Sequence, residues 1–93
     1  MTRLSRRRAS RPHKVRFGRW FRSWLRRNSI TQSEVSDETG IYRQTISSWV
    51  CGYRAPHGLS MAILAEALHK LSGRPHAEIA SEMLSAFLAS NPR

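Results

Sequence analysis

Residues 31–52, TQSEVSDETGIYRQTISSWVCG, read as two short helices joined by a tight turn. The start of the first helix is marked by three signals that agree. Thr31 suits an N-cap, Glu34 lies three positions on where it can reach back to the cap amide, and Ile30 and Val35 occupy the two positions of a hydrophobic staple. Gly40 arrives where that helix must stop, because a residue tolerant of positive φ turns the chain there at least cost. A second helix then runs from about Arg43 to Cys51.

In this second helix Ile46 and Trp49 lie three apart with Val50 beside Trp49, so one side faces inward. Arg43, Gln44, Ser47 and Ser48 are left on the other side. Two helices of this length, around a turn of three or four residues that contains Gly, make a helix-turn-helix rather than an antiparallel hairpin. Arg, Gln, Thr and Ser presented outward are the side chains that hydrogen-bond base edges in a DNA major groove.

In their spacing, Gln32, Glu34, Val35, Gly40, Ile46, Ser47, Trp49 and Gly52 resemble the phage repressor and Cro type of helix-turn-helix, the XRE-like family. The run GIYRQTISSWV is particularly similar to the turn and recognition helix of Cro-like members, and the resemblance covers roughly Phe17 to Leu71. It implies a sequence-specific, double-stranded DNA-binding transcriptional regulator with a recognition helix at about residues 43–51. Arg43 is then the candidate for guanine, through O6 and N7, and Gln44 for adenine, through N6 and N7. Thr45, Ser47 and Ser48 supply shorter base contacts, while Gln32, Tyr42, Tyr53 and Arg54 fix register on the sugar-phosphate backbone. The chain departs from the family pattern at Ser36 (usually Ala), Thr39 (usually apolar), Tyr42 (often a capping Ser or Thr) and Val50 (often acidic). At Tyr42 the expectation is that a cap worth about 1 kcal/mol is exchanged for a phosphate or thymine contact.

The 93 residues allow one domain, of a size that only marginally buries its own core, and association of subunits would help. The formal net charge of +10 is unevenly placed: residues 1–27 hold 11 Lys or Arg and no acid, whereas residues 28–93 hold 5 basic and 6 acidic residues. A basic block of this kind is a footprint for phosphates, or less often for an anionic membrane. The single cysteine, Cys51, gives no internal disulfide and no sign of an oxidising compartment. No stretch is long and apolar enough to span a bilayer, and SRRRASR lacks the apolar segment of a twin-arginine signal. The simplest placement is cytoplasmic, on the nucleoid when DNA is bound, although an organellar transit peptide is also Arg-rich and acid-poor.

Taken in order, residues 1–15 read as a flexible basic arm, which carries Arg3, Arg6, Arg7, Arg8, Arg11 and Lys14 and continues into Arg16. Such an arm either lies along phosphates or a neighbouring groove, or is a solvated tail. Phe17, Trp20, Phe21, Trp24 and Leu25 recur at three and four, giving an amphipathic helix to about Asn28 that either covers the helix-turn-helix or lies on a membrane surface. A loop, YRAPHG, follows Gly52, and Met61, Leu64, Ala65, Leu68 and Leu71 predict a fourth helix from about Ser60 to Leu71. Pro75 opens a fifth, residues 76–89, with Ile79, Met83 and Phe87 in one row and Ala80, Leu84 and Leu88 in the next. Either one row packs internally while the other joins a homodimer, or both are buried in one chain. The whole is an all-α, five-helix domain of the lambda-repressor kind spanning residues 16–93, behind the disordered basic arm.

No catalytic signature, Gly-rich phosphate loop or metal-ligand spacing occurs, so neither enzyme activity nor a cofactor is expected. Two other readings stay open. One is an antitoxin-type protein that holds a toxin partner and autoregulates its promoter. The other is a non-specific basic binder of nucleic acid or membrane surface.

Overall fold

A computed structural model describes residues 12–88. Five helices make up this region: α1 (Pro12–Arg27), α2 (Gln32–Thr39), α3 (Arg43–Val50), α4 (Leu59–Ser72) and α5 (His76–Leu88). No strand occurs among the described residues. Arg3, Arg6, Arg7, Arg8 and Arg11 of the expected arm lie outside them.

α1 begins at Pro12, before the expected boundary at residue 16, so Lys14 and Arg16 are helical residues and not part of an arm. Pro is favoured in a helical first turn, where its missing N–H has no role. Tertiary contacts hold the extension: the His13 ring lies 5.9 Å from that of Phe87, and Val15 packs against Gly52. The aromatic stripe of α1 turns into the domain, with Phe17, Phe21, Trp24 and Leu25 buried, and does not form an outward membrane-facing surface. Trp20, half-buried, donates from Nε1 to Glu82 Oε1 of α5 at 3.2 Å, and Phe17 stacks on Phe87 at 4.9 Å. No helix among the described residues is long and apolar enough to cross a membrane.

α1 ends in a Schellman motif: Ile30 N–H reaches Leu25 C=O at 3.0 Å and Ser29 N–H reaches Arg26 C=O at 3.2 Å. Ser29 takes the left-handed position with φ 55°. The chain thereby reverses into α2, and Val35, Ile46, Trp49 and Val50 close over α1 from the helix-turn-helix side. α4 and α5 supply the remaining core through Leu64, Ala65, Leu68, Ile79 and Met83. Pro75 precedes α5 as its cap, its carbonyl accepting from Glu78 and Ile79 N–H, one residue before the first turn in which it was expected. The two rows of α5 separate: Ile79 and Met83 are buried with Phe87 packed behind them, whereas Leu84 and Leu88 are 55% and 63% exposed. Burial of both rows within one chain is therefore not the arrangement adopted.

Candidate nucleic-acid interface

The capping box expected at Thr31 forms in full. Thr31 Oγ1 accepts from Glu34 N–H at 3.1 Å, and Glu34 Oε1 accepts from Thr31 N–H at 2.8 Å. The first two amides of α2, at Gln32 and Ser33, precede any i−4 helical acceptor, and the Glu34 carboxylate of the box sits at the same N-terminus. At the other end Gly40 adopts φ 79° and its N–H closes on Ser36 C=O at 2.8 Å. Both hydroxyl departures from the Cro-like pattern work in this turn. Ser36 Oγ donates to Ile41 C=O at 2.6 Å, while Thr39 Oγ1 donates to Val35 C=O at 2.8 Å and accepts from Ile41 N–H at 3.0 Å.

α3 starts without a side-chain cap. Tyr42 holds the N-cap position, is 81% exposed and makes no capping hydrogen bond, so the hydroxyl that a Ser or Thr would offer there is absent. Ile46, Trp49 and Val50 are buried beneath, which turns Gln44 to the opposite, solvent side. Gln44 stands between two concavities. Thr31, Gln32, Ser33, Arg43, Gln44 and Ser47 line one, and Gln44, Thr45, Ser48, Tyr53 and Arg54 line the other.

Eight of the nine residues singled out for base or backbone contact thus fall on one surface, and the ninth, Tyr42, projects from the turn that leads into it. Their availability differs. Arg43 Nη1 donates to Ser33 Oγ at 2.8 Å, which uses one of five guanidinium N–H groups and leaves a fork free. Ser48 donates its only hydroxyl proton to Thr45 C=O at 2.7 Å, so it can meet a base only as an acceptor. The Ser48 carbonyl also takes the N–H groups of Tyr53 and Arg54, at 3.0 and 3.2 Å, and these bonds fold the following loop back beside α3.

Thr31 is explained in the sequence by its capping role alone, and Ser33 carries no local signal of its own. Ser33 joins the surface through its place in the first turn of α2, facing the start of the next helix. None of the six acidic residues lines either concavity. Glu38, Glu66 and Glu78 instead face Lys70, His76 and Arg74 on the α4 and α5 side.

An all-α domain whose second and third helices meet at a glycine turn, with an acid-free polar surface on the third, is a DNA-binding helix-turn-helix domain. A family model described as a helix-turn-helix domain matches residues 19–76, more than half of the chain, and the chain belongs to that family. No curated protein and no solved structure matches it.

Proposed function

We propose that this protein is a sequence-specific regulator of transcription of the phage repressor and Cro kind, reading double-stranded DNA with α3. The observation that carries the proposal is the pair of acid-free concavities that share Gln44. Arg43 and Gln44 take bidentate contacts to guanine and adenine, and Thr45, Ser47 and Ser48 take the shorter ones. Gln32, Tyr42, Tyr53 and Arg54 position the duplex through its backbone, and the arm adds attraction that is indifferent to sequence. Such a protein acts on the nucleoid.

The exposed outer row of α5 supports a homodimer. Leu84 borders an apolar groove with Met61, Ala62, Ala65, Ala80 and Met83, and Leu88 continues the row one turn on. Two copies joined there would set their recognition helices into successive major grooves about 34 Å apart and favour an inverted repeat.

Selection of random duplex DNA on the purified protein at about 150 mM salt, where non-specific attraction is already weak, tests the reading. Enrichment of an inverted repeat is expected. Arg43→Ala should then cost about 1 to 3 kcal/mol and relax preference at one base position. Binding that enriches nothing and collapses as salt rises would refute the proposal and move the toxin-partner reading ahead.

A further inference from the structure

The acid-free surface continues past Arg54. On the far side of that residue lies a third concavity, formed by His13 and Lys14 from the first turn of α1, by Arg54, Ala55, Pro56 and His57 from the loop after α3, and by Phe87 of α5. Two elements far apart in sequence are held together here at a backbone approach. A Cβ built on Gly52 would lie 3.1 Å from Val15 Cα, so the start of α1 sits directly against the end of α3. Phe87 props the same turn from behind through its contact with His13. Lys14 and Arg54 therefore face one groove, accompanied by two imidazoles and by no carboxylate.

We infer that this groove is a backbone-binding site for the phosphates that flank the base pairs read by α3, on the side of its C-terminal end. The inference rests on the DNA-reading function proposed above. Arg54 borders both this groove and the concavity beside Gln44, so a strand leaving the reading surface passes over Arg54 and meets Lys14 next. Lys14 is a point charge for one phosphate, and His13 and His57 offer ring N–H donors to the same strand. The footprint thus extends asymmetrically, beyond the C-terminal end of α3 and toward Pro12, where the basic residues 1–11 join the domain.

The test uses the full chain, the duplex recovered by selection, a scrambled duplex, and the variants Lys14→Gln and Lys70→Gln. Lys70 is the control, a cation on α4 opposite Glu38 and outside the groove. Thermal unfolding first establishes that both variants retain the wild-type fold. Lys14→Gln should weaken binding to both duplexes alike, by about fivefold at 0.15 M salt, and should make the slope of log K against log salt shallower by about 0.9, the value of one phosphate contact. Ethylation of a phosphate outside the recognised base pairs should inhibit the wild type and leave Lys14→Gln unaffected. Lys70→Gln should behave as wild type in all three measurements. If the wild type selects a duplex but Lys14→Gln keeps its salt slope and ethylation pattern, the groove is overturned and the reading function stands. If the wild type selects no duplex, both fall together.

Discussion

Gly18 offers the sharpest test of how α1 positions α3. It lies in the middle of α1, where an ordinary helix would gain about 1 kcal/mol from replacement of Gly by Ala. The structure reverses that sign. A Cβ at residue 18 would stand 2.6 Å from the Trp49 carbonyl oxygen and 2.7 Å from that of Val50, about 0.8 Å short of the 3.4 Å at which ordinary contact begins. Both obstacles are backbone atoms in the last turn of α3, and the Trp49 oxygen already accepts from Gly52 N–H at 3.2 Å. Neither can swing aside as a flexible side chain does. Overpacking of this kind costs about 1 to 3 kcal/mol, and with rigid atoms on both sides we expect the upper end, leaving a net loss of about 2 kcal/mol for Gly18→Ala. In a domain of this size that lowers the melting temperature by about 8 to 16 °C. Far-UV circular dichroism during heating measures it, with Ser23→Ala on the exposed side of the same helix as a control that should be neutral or slightly stabilising. A Gly18→Ala protein as stable as the wild type would mean that α1 does not cross α3 at backbone contact, and the placement of Lys14 beside Arg54 would lose its support.

Ser29→Gly should stabilise the domain by roughly 1 kcal/mol, because Ser29 bears the cost of a left-handed conformation that Gly adopts freely; an unchanged denaturation midpoint would contradict the Schellman geometry. Tyr42→Ser should restore a cap to α3 and raise stability by about 1 kcal/mol while weakening DNA binding, and a gain in both would remove Tyr42 from the interface. Leu84→Lys combined with Leu88→Lys should leave the melting curve of the monomer nearly unchanged, since both side chains are exposed, yet abolish any dimer seen by sedimentation; a monomeric wild type across the micromolar range would dispose of the dimer.

The features legible in the sequence were those encoded locally. The capping box is written within four consecutive residues, Thr31 to Glu34, and the left-handed stop within one, Gly40, so both could be read without knowing what packs on them. The exposed face of α3 followed from the spacing of Ile46, Trp49 and Val50, which are buried. The start of α1 was not legible in this way. Its first turn has no acidic or capping residue to announce it; Pro12 is the available signal, and the contacts that hold the turn come from Gly52 and Phe87, 37 and 74 residues later than Val15 and His13. For the same reason Lys14 read as part of the basic arm. The two apolar rows of α5 were visible, but which of them faced inward depended on where α1 placed Phe17 and Trp20.

These placements converge on the orientation of α3. A helix of eight residues cannot hold its own direction, since helices so short are marginal in isolation and this one lacks a side-chain cap at its N-terminus. Its direction must be imposed from both ends. At the start, Ser36 and Thr39 do so with three hydrogen bonds to the backbone of Val35 and Ile41, using hydroxyls where the Cro-like pattern has small or apolar side chains. At the finish, α1 does so through Gly18 and Val15, which meet the backbone of residues 49 to 52 with no side chain between. Clamped in this way, α3 can leave its cap position to an exposed Tyr42 and its solvent face to Gln44, side chains that contribute little to the fold of the free domain. Stability is supplied around the helix so that the helix itself can be chosen for what it touches.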